Sequence, residues 1–169
     1  MSTKVDFSKL TLMDALDLAT LIEIEASKRC ALFAEQLGSR STDDAGSVFA
    51  SMVVNENKHC EQLAERRLAL FGDTPPKVKL DDIFDVEAPE FGAPSRYMSP
   101  LKAYHVALSS EKKAFEFYDQ ALRHVSQPDV KALFEELREE EAEHIRMVQG
   151  IIAKLPPEAA LEPEDQDAD

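Results

Sequence analysis

Residues 130–155 read VKALFEELREEEAEHIRMVQGIIAKL. Stepped at alternating intervals of four and three, the stretch yields Val130, Phe134, Leu137, Glu141, His144, Val148, Ile151 and Leu155. This is the inward stripe of a helix in a bundle. It is broken at its centre by a glutamate, with a histidine close to one turn later. Glu-x-x-His puts both side chains on one helix face.

The same step works in three other stretches. The first gives Leu12, Leu16, Ala19, Glu23, Ala26, Cys30, Phe33 and Leu37; the second Phe49, Met52, Glu56, His59 and Leu63. The third gives Tyr104, Ala107, Glu111, Ala114, Tyr118, Ala121 and Val125. Each stripe is apolar or small except for one glutamate, and the second and fourth add the histidine.

Turn signals divide the chain to match. A first helix is expected from about Thr11 to Leu37, stopped by Gly38. Thr42 or Asp43 caps the second, which ends near Phe71 before Gly72. Ser99-Pro100 opens the third, which runs to about Val125, and Ser126 to Pro128 opens the fourth, which stops before Pro156. The connection Gly72 to Met98 is long for a compact domain. A helix of this size is about 40 Å long, a span that roughly 12 extended residues cover. The connection can therefore traverse the bundle and start the third helix at the opposite end. Its apolar residues Val78, Leu80, Ile83, Phe84, Val86 and Phe91 are expected to pack on the way. Two short turns flanking one long crossover describe an all-α, ferritin-like antiparallel four-helix bundle over residues 1–155.

In that topology Glu23, Glu56, Glu111 and Glu141 meet at mid-height. Four inward carboxylates at one level cannot all ionise, and a lone buried charge costs several kcal/mol. Two divalent ions resolve the conflict. The expected metal ligands are Glu23, Glu56, His59, Glu111, Glu141 and His144, and mixed oxygen and imidazole donors suit iron or manganese. Tyr118, two turns after Glu111, either approaches the metals as a supporting residue or satisfies itself in the core. His105, His124, Glu25 and Glu116 fall off the stripes or near helix ends.

Composition narrows the rest. The 169 residues are 44% hydrophobic with five glycines, as suits a helical domain. The net charge is −14, with six acids after Pro156-Pro157, so residues 156–169 are expected to form an acidic, disordered tail. That sign and the lack of a basic patch argue against nucleic acid. No apolar run spans a membrane and no signal-peptide pattern opens the chain, so a cytoplasmic location is expected. Cys30 and Cys60 form no Cys-x-x-Cys pair; both are expected to be small core residues rather than a disulfide or a nucleophile.

The combination resembles the ferritin-like di-iron carboxylate superfamily, and within it the rubrerythrin-related proteins. The resemblance runs through Glu23, Ala26, Arg29, Phe33 and Gln36, then Glu56-Asn-Lys-His59, the run Glu111 to Tyr118, and Glu141-Ala-Glu-His144. It implies that Glu56 and Glu141 contact both metals, that Glu23 and Glu111 are terminal, and that each histidine serves one metal. Two iron ions are implied, with manganese the alternative in vivo and zinc able to stand in within a crystal. The chain departs from the family in three ways. It has no rubredoxin domain, Ala114 stands where an extra carboxylate is usual, and Cys30 replaces a first-helix tyrosine.

The function expected is reduction of hydrogen peroxide or dioxygen at the di-iron site, served by an external donor such as a rubredoxin-like or flavin reductase. Alternatives are a ferroxidase or iron-storage role and a dimanganese catalase-like activity; tRNA hydroxylation is disfavoured by the acidic composition. A homodimer is expected from the resemblance.

Overall fold

The computed structural model describes residues 5–37, 45–82 and 98–162. Among the described residues four long helices make up the fold: α1 Leu12–Leu37, α2 Ala45–Phe71, α3 Pro100–Leu122 and α4 Pro128–Lys154. Single turns of 3-10 helix lie at Phe7–Lys9, Leu80–Asp82 and Pro157–Ala160.

The helix ends follow local chemistry. Thr11 and Asp14 cap α1 reciprocally: the Asp14 N–H donates to Thr11 Oγ1 at 3.2 Å, and the Thr11 N–H to Asp14 Oδ2 at 3.3 Å. At α3, Ser99 Oγ accepts from the Lys102 N–H at 3.2 Å and Pro100 takes the first helical position. Gly72 ends α2 with φ 59°, a left-handed conformation costly for any residue with a Cβ. The expected caps at Gly38, Thr42 and Asp43 lie outside the described residues.

Cross-helix pairs fix the topology. Along α1 and α2, Asp17 meets Arg67 and Ser27 meets Asn57, so those helices are antiparallel. Asp119 meets Arg138 and Glu111 meets His144, which makes α3 and α4 antiparallel too. His59 stacks on His144 and Arg66 pairs with Glu136, so α2 and α4 also oppose each other. It follows that α2 and α3 point the same way, and that the chain between them must travel the length of the bundle. At the start of that passage Arg67 donates to the carbonyls of Gly72 and Thr74 while holding Asp17 at 2.8 Å, pinning the crossover to α1. Val78 packs partly buried on the core. Ile83, Phe84, Val86 and Phe91 lie outside the described residues.

Two expectations change. Helix α3 ends at Leu122 rather than near Val125, because its last turn tightens, with the His124 N–H reaching Ala121 O at 2.9 Å. Of the segment expected to be disordered, Pro157–Ala160 forms a turn packed against α3 with Ala159 buried. Residues 163–169 are outside the described set.

The interior comes in two apolar blocks. One gathers Leu16, Ile22, Leu63, Tyr118, Leu133 and Phe134; the other gathers Cys30, Phe33, Phe49, Met52, Met98 and Ala107. Each fully buried large side chain contributes about 1.5–3 kcal/mol. Between the blocks the bundle interior is acidic.

Candidate metal centre

From Leu12 to Phe33 on the first stripe, and throughout the other three, the stripe residues are buried or partly buried, so the glutamates that interrupt them point inward. Glu23, Glu56 and Glu141 are each 1% exposed and Glu111 is 3%. The structure draws them, with the two histidines, into adjoining triads. Glu23, Glu56 and His59 offer one ligand atom each, all within 4.8 Å of one another; Glu111, Glu141 and His144 do the same. The imidazole rings stack at 4.9 Å between centroids and 3° between planes, which joins the triads on the α2–α4 side.

In both triads Nδ1 is the nitrogen turned toward carboxylate. His59 Nδ1 lies 3.6 Å from Glu23 Oε2; His144 Nδ1 lies 3.2 Å from Glu111 Oε2 and 3.5 Å from Glu141 Oε2. Their surroundings nonetheless differ. Burial disfavours charge on His144, but the hydrogen bond to Glu111 and the nearby Glu141 carboxylate outweigh it and hold its pKa up at about 11. Burial and the neighbouring His144 push His59 down.

The carboxylates are badly matched to an interior without cations. Burial above all, then the charges of Glu141 and Glu111, raises Glu23 to about 8. Burial and neighbouring carboxylates also push Glu56 and Glu141 well above the ordinary range. Both oxygens of Glu23, Oε2 of Glu56 and Oε2 of Glu141 are sealed from solvent without a hydrogen bond, an arrangement that costs about 1–3 kcal/mol or more per group. Divalent ions would satisfy these oxygens and offset the four negative charges, and the oxygen and imidazole donors fit iron or manganese. The residues present therefore fit a two-metal site.

Tyr118 is fully buried, its ring held by Phe117 at 5.3 Å and Phe134 at 5.4 Å. His105, His124 and Glu116 are exposed, and Glu25 pairs with Lys28 at 3.2 Å. Cys30 and Cys60 are free thiols. Cys30 is a core residue whose thiol burial pushes far above its ordinary value. Cys60 is only half-buried, because it follows His59 off the stripe.

Three features escaped the sequence. Ser27 donates to Asn57 at 2.8 Å, tying α1 to α2 one residue beyond Glu56; the polar pair at matched heights was the available signal. The histidine stacking depends on the rotation of α2 against α4. A cavity between those two helices, with His59 on its wall, has no signature in a single chain.

Comparison with known proteins agrees with this fold. The family model described as Rubrerythrin matches residues 14–152 and 102–168. An uncharacterized conserved protein from Magnetospirillum magnetotacticum superposes with TM-score 0.67 at 27% identity, covering 87% of this chain and 97% of that one. Bacterioferritin from Rhodobacter capsulatus, solved with a metal-free dinuclear site and heme iron, gives TM-score 0.59 at 18% identity over 90% and 94% of the two chains. At that identity the likeness speaks for the fold. No curated protein matches. No helix among the described residues is long and apolar enough to cross a membrane.

Proposed function

This chain belongs to the rubrerythrin family, and from that footing we propose that it is a non-haem di-iron oxidoreductase reducing hydrogen peroxide or dioxygen. The observation carrying the proposal is the band of four buried glutamates, with orphaned oxygens facing two Nδ1 atoms, between two apolar blocks. A ferrous pair bound there would supply two electrons and a site for the oxidant.

The chain's own groups do the rest. Glu23, Glu56 and His59 would hold one ion and Glu111, Glu141 and His144 the other, and Glu56 and Glu141 are the carboxylates proposed to serve both. Glu23, Glu56 and Glu141 would give up to solvent the protons they otherwise keep when cations bind. The apolar blocks exclude water along the axis, so the reacting face is the α2–α4 side, where the histidine side chains retain 14% and 15% exposure. Tyr118, within the first apolar block, is part of that water-excluding packing. The electrons would be replenished by a separate donor of the rubredoxin-like or flavin reductase class. A homodimer is the assembly proposed, and a cage-sized particle in gel filtration would instead support iron storage.

The test combines loading and reaction. Ferrous protein should bind two irons per chain and react with hydrogen peroxide faster than free iron in the same buffer. Substituting Glu56→Ala together with Glu141→Ala should abolish both the reaction and the metal-dependent rise in Tm, which reflects a stabilisation of about 2.7 kcal/mol per site at a hundredfold excess over Kd. Oxidation no faster than free iron overturns the activity, and a metal-dependent rise kept by the double variant overturns the site.

A further inference from the structure

The cavity between α2 and α4 encloses about 290 Å³ and has His59 on its wall. It lies one turn along the axis from the acidic band: Leu63 follows His59 by four residues, and Leu137 precedes Glu141 by four. Those two leucines and Leu133, all buried, form its floor. Its mouth is polar. Arg66 and Glu136 face each other across it at 3.0 Å, 40% and 54% exposed, and Gln62 and Glu140 complete the rim.

Hydrogen peroxide has no use for such a space. A water's share of liquid volume is about 30 Å³, and peroxide is not much larger. A leucine-lined cavity of about 150 Å³ accepts benzene, so this one has room for a hydrocarbon-bearing molecule of roughly ten to twelve non-hydrogen atoms. A leucine floor, a rim of polar side chains and one end at the candidate centre suit a small molecule with an apolar body and a polar head.

We propose that this cavity seats the hydrocarbon part of an uncharged organic hydroperoxide, with the peroxide group directed past His59 toward the paired triads. The inference rests on the oxidant-reducing reading above and narrows its substrate class. An uncharged substrate follows from the surroundings: Arg66 is neutralised by Glu136, which leaves Glu140 and a net charge of −14 to repel carboxylate-bearing hydroperoxides. The chemistry balances. The O–O bond breaks, two ferrous ions each give one electron and become ferric, and two solvent protons complete an alcohol and a water. The leucine floor contributes binding of the organic group and no chemical step.

The experiment uses the full chain loaded anaerobically with ferrous iron and mixed in stopped flow with cumene hydroperoxide or hydrogen peroxide. Leu137→Trp fills the floor, and Gln62→Trp, on an exposed position of α2, covers the mouth with little risk to folding. In each variant the ratio of the cumene hydroperoxide rate to the hydrogen peroxide rate should fall by about tenfold or more. A second readout needs no turnover: in zinc-loaded protein, 2-phenyl-2-propanol should shift the methyl resonances of Leu63, Leu133 and Leu137, and Leu137→Trp should abolish the shifts. An unchanged ratio in both variants, or absence of those shifts, overturns the cavity assignment while leaving peroxide reduction intact. Wild-type iron protein inert to both oxidants overturns the parent reading and this one with it.

Discussion

Replacing Glu23 by glutamine should stabilise the metal-free protein and destabilise the metal-loaded one. In the folded chain the Glu23 carboxyl keeps its proton until about pH 8, against an ordinary value of 4.5, chiefly because it is buried. At pH 7 an unfolded chain ionises that group freely and the folded chain does not, which lowers stability by about 3 kcal/mol. Coupling to the neighbouring acids spreads part of this over the band, and the amide keeps its own desolvation cost, so a gain of about 1–3 kcal/mol is expected. For a chain of this length that raises the metal-free Tm by about 2–9 °C. With metal bound the sign reverses, because the substitution removes a ligand oxygen and the mass-action stabilisation shrinks with affinity. Scanning calorimetry of both proteins, with chelator and with excess ferrous or manganous ion, reads both signs. A lower Tm for metal-free Glu23→Gln, or equal metal-induced shifts in the two proteins, would refute the reasoning.

The metal-free protein should lose stability as pH rises from about 6.5 to 8.5. Glu23 binds more protons folded than unfolded between 4.5 and about 8, and His144 does so between 6.5 and about 11, so both contributions fade across this window. His59, lowered, acts the opposite way only below its ordinary value of 6.5. Metal-loaded protein should show no such loss, because cations replace the protons; thermal melts at stepped pH with and without metal check the contrast, and parallel curves would contradict it. Arg67→Met should free the start of the crossover, since that side chain holds Asp17 and the carbonyls of Gly72 and Thr74 together. Amide exchange at Asp73 and Thr74 should quicken while the α4 core amides hold; unchanged exchange at both would remove Arg67 from that role.

Much of the fold was legible because helix stripes and stop signals are local. Ser99-Pro100 and Phe71-Gly72 marked ends that the structure keeps, and the stripes placed Glu23, Glu56, Glu111 and Glu141 inward. Their convergence was legible for a different reason: equal distances from the connecting turns force equal heights in antiparallel helices. The end of α3 was overrun because Arg123 and His124 are compatible with helix, and only the turn into α4 decides where it stops. The buried Ala159 was hidden for a similar reason, in that a short acidic segment gives no sign of the α3 surface that holds it. The cavity and the stacked imidazoles depend on the spacing and rotation of α2 against α4, which no single stripe encodes.

The central claim is that inward acids persist in this bundle because cations sit among them. Anomalous diffraction at the iron edge from crystals of iron-loaded protein tests it most directly. Two peaks per chain are expected, one within Glu23, Glu56 and His59 and the other within Glu111, Glu141 and His144. Loaded crystals with peaks elsewhere, or with those six side chains turned away from any metal, would contradict it.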